Sequence, residues 1–363
     1  MGFVLPKYPN ALLGSAFVPP PPPPASLLAP YAAIIAEANR KPRGRSEWED
    51  RFSFWQKPAS DTEEAKIESI ARRVRQAMAR SAFLPGRSWS IVKQGSYHNN
   101  TNVRTDSDVD LCVCLDDAYF VDGPTNDVPS LAELNREPVP FTFDWYRRHI
   151  AWCLAQEFGH SAVTPGTKAI HLHKNDDERI NADVVPAFTF QHFGPRQPMF
   201  WLRNPPSVGV ALLTTTGQRI TNFPFQHYAN GCAKNDRTGR RYKRVVRILK
   251  RIRNHMADNI DLPRAGRERA KNTPSFLIES LVYNCLEVGH FQHTSIYDDV
   301  VAVLQYLSYA LTERSGGATL LGAPSWFWWH EVNGIKSLFD GSQTWTVASA
   351  AEFVQLARGY MGV

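Results

Sequence analysis

The chain has 363 residues, enough for two or three domains, and its 43% hydrophobic and 21% charged content is that of an ordinary globular protein. No run of ~20 apolar residues is present to form a membrane-crossing helix, so no membrane partner is expected. The net charge of +6, from 41 Lys and Arg against 35 Asp and Glu, favours polyanionic partners such as triphosphates without requiring nucleic acid.

The first residues lack the charged head and apolar stretch of a signal peptide, and Pro6 stands where a myristoylated chain has Ser or Thr after Gly2. Five cysteines without metal spacing fit a reducing compartment, and the expected localisation is cytoplasmic. Residues 1–52 read as a proline-rich and basic N-terminal extension. Pro19 to Pro24 enforces polyproline II, Leu27 to Ala38 has the apolar content of a short helix, and Arg40 to Arg45 is basic.

A helix is predicted to start at Ser60 or Asp61, with Glu63 and Glu64 in its first turn and Ile67, Ile70, Ala71, Val74 and Met78 on one face. Gly95-Ser96 then makes a small-residue turn, followed by an apolar strand from Val109 to Leu115 that holds Cys112 and Cys114. Residues 116–140 are loop-rich, and Asp144 to Phe158 reads as a helix. Ala169 to His173 and Arg179 to Phe190 read as two strands around a polar turn. A long basic helix is expected from Gly231 through His255, with further helices over Pro274–Leu286, Tyr297–Leu311 and Ala348–Tyr360. The tail Gly359–Val363 reads as a frayed end. Strands dominate the middle and helices the last third, so the expected class is α+β, with a core over 53–230 and a helical lobe over 231–363.

Asp108 and Asp110 lie two apart at the start of a strand, which turns both side chains to one face. Asp183 lies among apolar residues, where a carboxylate is costly unless paired or metal-bound. An antiparallel neighbour carrying Asp183 would complete three hard oxygen donors for two magnesium ions, the arrangement of two-metal phosphoryl transfer. On the basic helix, Val245, Leu249, Ile252 and Met256 form a core stripe. Lys243 and Lys250 share another face, and both are assigned to the triphosphate, Lys250 first. His171 and His173 alternate like a metal pair but lack a third ligand, so a strand-surface pair is the preferred reading. Trp326 to Trp329 reads as core or interdomain packing.

The Gly-Ser turn, Asp-x-Asp and later strand aspartate resemble the DNA polymerase β-like nucleotidyltransferase superfamily. Five blocks in order narrow the resemblance to the bacterial CD-NTases, the cGAS/DncV-like nucleotidyltransferases of CBASS anti-phage systems: FWQKPASDTEEAKI, QGSYHNNTNVRTDSDVDLCVCL, RINADVVPAF, YKRVVRILKRIRN and PSFLIESLVYN. The resemblance covers roughly residues 53–360. It implies a polymerase β-like core with a mixed, mainly antiparallel sheet, a C-terminal helical lobe and an active site in the cleft between them. It implies that Asp108, Asp110 and Asp183 hold two Mg2+ ions, with Mn2+ as a substitute, and that Gly95 and Ser96 bind the donor triphosphate. Ser275 matches a donor-phosphate serine, and Phe276 a base-stacking position. The implied activity joins NTPs into a cyclic di- or trinucleotide second messenger that acts on a downstream effector, with CBASS regulatory proteins as further partners. Two competing readings are an RNA- or tRNA-modifying nucleotidyltransferase and an inert scaffold, the latter expected to have lost carboxylates that this chain retains. The base, the linkage and the activating signal are not legible in these residues.

Overall fold

β2 (Val109–Asp122) is the axis of the sheet, and its register determines which carboxylates meet. The computed structural model describes residues 40–58, 61–103, 108–123, 128–173, 181–194, 205–312 and 323–363. The proline run, the Leu27–Ala38 segment, Ser60 and the expected strand start at Arg179 lie outside them. Among the described residues, β1 (Trp89–Lys93) pairs antiparallel with β2, and β2 pairs in parallel with β5 (Ala182–His192). β4 (Ile170–Leu172) and β3 (Val163–Pro165) continue antiparallel beyond β5. β6 (Ser207–Leu213) joins the distal half of β5, and β7 (Arg219–Asn222) joins β6.

The expected antiparallel pairing of the two aspartate strands is therefore corrected to a parallel one. The chain leaves β2, passes through a helix and the short β3–β4 pair, and re-enters alongside β2, which is the long crossover that parallel pairing requires. The antiparallel hairpin neighbour of β5 is β4 instead.

β2 is central because Leu111 to Leu115 are all at most 2% exposed, the near-continuous apolar run of a strand covered on both faces. Val109, Leu111, Val113 and Leu115 share a core with α2 (Asp61–Ala79), whose Ile67, Ile70, Ala71, Val74 and Met78 are buried as predicted, and with Tyr146 and Ile150 from the Phe143–Phe158 helix. On the opposite face Cys112 and Cys114 pack in a small cluster with Val92, Ala187 and Val210. Burial pushes both thiols well up, so they are inert space-fillers. Asp110 shares this thinly covered face.

A second core belongs to the helices. α6 (Arg241–Asp258) contributes Val245, Leu249, Ile252 and Met256, each at most 1% exposed, and packs with α8 (Ser275–Tyr283), α9 (Ile296–Thr312) and α10 (Val347–Met361). The single basic helix expected from Gly231 is two: α5 (Pro224–Arg237) ends before α6 begins, because Gly239 and Arg240 both take positive φ, 58° and 64°. α1 (Arg45–Trp55) sends Trp48, Phe52 and Trp55 into this same core, so the expected boundary at residue 52 cuts through a helix that the C-terminal helices hold. Trp48→Ala is expected to cost about 3–5 kcal/mol, read by urea unfolding. An unchanged midpoint would mean that α1 is dispensable to the core. The C-terminus is not frayed: α10 runs to Met361, Gly362 caps it at φ 78°, and Val363 N donates to Arg358 O.

Candidate active site

Gly95 opens a one-turn helix, α3 (Gly95–His98), with a backbone φ of 70° that an L side chain rarely adopts. The turn closes through Asn99 N to Gly95 O at 3.2 Å and Thr101 N to Ser96 O at 2.8 Å. Gln94 N donates to Asp110 O at 3.0 Å, which ties the turn to β2. A Cβ at position 95 would stand 1.8 Å from Asp110 Oδ2. The turn and the carboxylate are in contact, and only the missing side chain permits it.

Asp110 and Asp183 are register partners on adjacent parallel strands, so their side chains project from the same face. Asp108 is exposed on the approach to β2. Burial first, then the charges of Asp183 and Asp108, push the Asp110 carboxyl up to about 6. Among the described residues no three His, Cys, Asp or Glu side chains form a ready-made metal cage. The donor set nonetheless fits a hard divalent cation, since two register-paired carboxylates and a third nearby repel one another, and a cation would relieve that repulsion.

The third member of the row is His171, the register partner of Asp183 across β4, whose Nδ1 lies 2.6 Å from Asp183 Oδ1. Sequence reasoning set His171 aside with His173. His173 does look elsewhere, its Nε2 lying 2.9 Å from Thr164 Oγ1, but His171 is part of the site. The alternation of Ala169–His173 gave the side on which His171 projects. Only the strand pairing gives the carboxylate it meets.

A cavity of about 330 Å³ opens beside the turn. Gly95, Ser96 and Asp110 line one side, Ser275 and Phe276 another, and Lys250 and Glu279 also reach it. Ser275 Oγ accepts from Arg253 Nη2 at 2.8 Å. The Phe276 ring is centred 5.5 Å from His227 and 5.9 Å from Trp345, which fixes its plane at the cavity wall. Six of the nine residues expected at the site line this cavity: Gly95, Ser96, Asp110, Lys250, Ser275 and Phe276. Asp108 and Asp183 are not lining residues of the cavity itself.

The two lysines stand in different places: Lys250 lines the cavity of the Gly95–Ser96 turn, and Lys243 lines another. Lys243 is 8% exposed and lines a separate cavity with Arg240, Arg244 and Arg247, its ammonium 3.4 Å from Cys232 Sγ and 5.5 Å from the Tyr228 ring centre. It does not line the cavity of the Gly95–Ser96 turn. Lys250 is 1% exposed and donates to Glu279 Oε2 at 2.9 Å, Thr101 Oγ1 at 2.9 Å and Thr101 O at 3.2 Å. All three ammonium protons are engaged. The expected triphosphate lysine is thus a buried one that lines the cavity beneath the turn.

A model of the cGAS/DncV-like nucleotidyltransferase C-terminal helical domain matches residues 229–362. A cyclic dipyrimidine nucleotide synthase CdnE of Legionella pneumophila is 36% identical over 320 residues, covering 87% of this chain and 98% of the relative. The chain belongs to the cGAS/DncV-like nucleotidyltransferases. A cyclic dipurine nucleotide synthase of Elizabethkingia meningoseptica is 34% identical over 326 residues, covering 86% of this chain and 98% of the relative. The structure of the Elizabethkingia meningoseptica CdnE cyclic dinucleotide synthase with GTP and Apcpp superposes with a TM-score of 0.67 at 28% identity, covering 87% and 99% of the two chains. Among the described residues, a seven-stranded sheet with its own core and a helical core make up the fold.

Proposed function

We propose that the chain joins nucleoside triphosphates into a cyclic dinucleotide or trinucleotide, releasing one pyrophosphate for each phosphodiester bond formed. The observation that carries the chemistry is the contact of the Gly95 turn with Asp110, opposite Asp183 in register. A turn that presents backbone N–H groups and the Ser96 hydroxyl beside paired carboxylates is built to hold a triphosphate at a metal site.

Asp108, Asp110 and Asp183 would hold two divalent cations, Mg2+ with Mn2+ as a substitute. When bound, these supply charge stabilisation of the triphosphate and of the attacking hydroxyl. With its proton on Nδ1, His171 donates to Asp183 Oδ1 and fixes that carboxylate, leaving the second oxygen available. Ser96 and Ser275 provide hydroxyls on two sides of the cavity, and Phe276 provides a flat apolar face for the donor base. The product would act on a downstream effector in the cytoplasm, in an anti-phage signalling context.

The two relatives differ in base class at nearly equal identity, 36% and 34%, so kinship alone does not select pyrimidine or purine. Labelled NTPs supplied singly and in pairs, with and without an RNA oligonucleotide, test the reading. Label is expected in a small product from NTPs alone. Label found only on the RNA would favour the RNA-modifying reading. Phe276→Ala is expected to raise KM for the NTP about tenfold, in line with the ~1–3 kcal/mol that base–aromatic stacking contributes, whereas Phe276→Tyr keeps it near wild type. Equal KM values for the alanine variant and wild type would remove Phe276 from the donor site.

A further inference from the structure

We infer that His98 is a further triphosphate-binding residue, an imidazole that donates to the outer phosphates of a nucleotide held by the Gly95–Ser96 turn, with Tyr228 as the surface that fixes its ring. The inference rests on the nucleotidyltransferase reading of that cavity and adds a residue to it. His98 is the last residue of α3, which Gly95 opens, and positions three apart lie on one side of a helical turn. It lines the same cavity as Gly95, Ser96 and Lys250. Two other histidines of this region are taken by carboxylates: His227 Nε2 lies 3.0 Å from Glu279 Oε1, and His171 Nδ1 lies 2.6 Å from Asp183 Oδ1. Among the described residues, neither ring nitrogen of His98 has a hydrogen-bond partner.

The ring does not swing freely. Its centre lies 4.4 Å from that of Tyr228 on α5, with 20° between the planes, a stacked pair that occupies a face of the imidazole and leaves its edge, where the nitrogens sit. The Lys243 ammonium stands 5.5 Å from the centre of the same Tyr228 ring, and no carboxylate pairs with it among the described residues. Burial first, then Lys93, Lys243 and His227, hold the His98 imidazole below its ordinary range, so the ring is neutral near pH 7 and keeps one N–H to donate. Ammonium groups that disfavour a positive ring attract a polyanion. No carboxylate is among the charges that act on His98, whereas Asp183 and Asp108 both act on Asp110. His98 therefore belongs to the end of the triphosphate away from the metal-binding carboxylates.

The test is binding of the non-hydrolysable analogue of each of the four NTPs, with Mg2+, to wild type, His98→Ala, His98→Asn, His98→Gln, Tyr228→Phe and Tyr228→Ala, with inorganic triphosphate as a competitor and thermal melting of each variant. His98 is half-buried and Tyr228 is 42% exposed, so all five variants are expected to fold. His98→Ala is expected to weaken the analogue and inorganic triphosphate alike by about tenfold, as the loss of a hydrogen bond to a charged group allows. Asparagine and glutamine place an amide N–H near the positions of Nδ1 and Nε2, and one of them is expected to restore affinity to within about threefold. Tyr228→Phe keeps the stack and should bind as wild type does, while Tyr228→Ala should fall between wild type and His98→Ala. The Tyr228→Ala/His98→Ala double variant is expected to bind no worse than His98→Ala, since both act through one ring. Wild-type affinity in His98→Ala would overturn the inference, and so would a loss confined to the nucleotide, which would move His98 to the sugar or base. A purely structural role would lower the melting temperature of His98→Ala without rescue by either amide, and that too would overturn it. Wild type that binds none of the four analogues would overturn the nucleotidyltransferase reading itself.

Discussion

Asp108→Asn combined with Asp110→Asn is expected to lower product formation by at least ~10³-fold, because the charge stabilisation it removes is several kcal/mol and each ~1.4 kcal/mol is a factor of ten. The double variant should remain folded. Asp108 is exposed, so its amide costs the fold little. Asp110 is a half-buried carboxylate held up by its surroundings and by the negative charges of Asp183 and Asp108. A neutral amide there removes like-charge repulsion, so the metal-free variant is expected to melt no lower than metal-free wild type. Activity and melting therefore separate: lost synthesis with an undiminished melting temperature is the signature of a catalytic carboxylate. A folded double variant that still makes product at more than a tenth of the wild-type rate would remove these residues from the chemistry.

Gly95→Ala is the second large effect. Its Cβ would fall 1.8 Å from Asp110 Oδ2, and its φ of 70° disfavours any side chain. Either the carboxylate swings away or the turn lifts, and a displacement of ~1 Å at a phosphate-positioning loop is enough to cost ~10²-fold in rate. Gly86→Ala separates strain from contact. Gly86 has a similar φ of 81°, and nothing lies within 4 Å of where its Cβ would be. Both variants should lose about 1 kcal/mol of stability from the left-handed backbone, and only Gly95→Ala should lose synthesis. Equal activities in the two variants would show that the Gly95–Asp110 contact has no part in the reaction.

The site was legible to the extent that it is written in short-range pattern. Asp108 and Asp110 sit at the head of an apolar strand, Gly95-Ser96 is a small-residue turn, and Ser275-Phe276 starts a helix after Pro274, all of which survive as local structure. The helix Asp61–Ala79 and the core stripe of α6 were likewise read from period alone, and their apolar faces are buried. What period does not contain is the partner of a strand or of a buried charge. Asp183 was expected through an antiparallel pairing and arrives through a parallel one. Both put it on the same face, because side-chain direction depends on register rather than on strand direction. His171 became visible only when β4 was seen to pair with β5.

The lysines show the same limit from the other side. Helical spacing places Lys243 and Lys250 on related faces, but not what lies opposite them. Lys250 meets Glu279, a residue 29 positions further on, and Thr101, 149 positions back. What faces a cation of an amphipathic helix is not written in its spacing. The break at Gly239 and Arg240, by contrast, had a signal in the glycine itself, and the α1 anchor had one in the spacing of Trp48, Phe52 and Trp55.

The most direct test of the account is incubation of the purified chain with all four labelled NTPs and Mg2+, followed by phosphatase and mass spectrometry. The predicted result is a phosphatase-resistant product whose mass equals two or three nucleotides joined with no free terminal phosphate, together with one pyrophosphate per nucleotide incorporated. Products that phosphatase degrades completely, or label incorporated only when an RNA acceptor is added, would contradict cyclic synthesis.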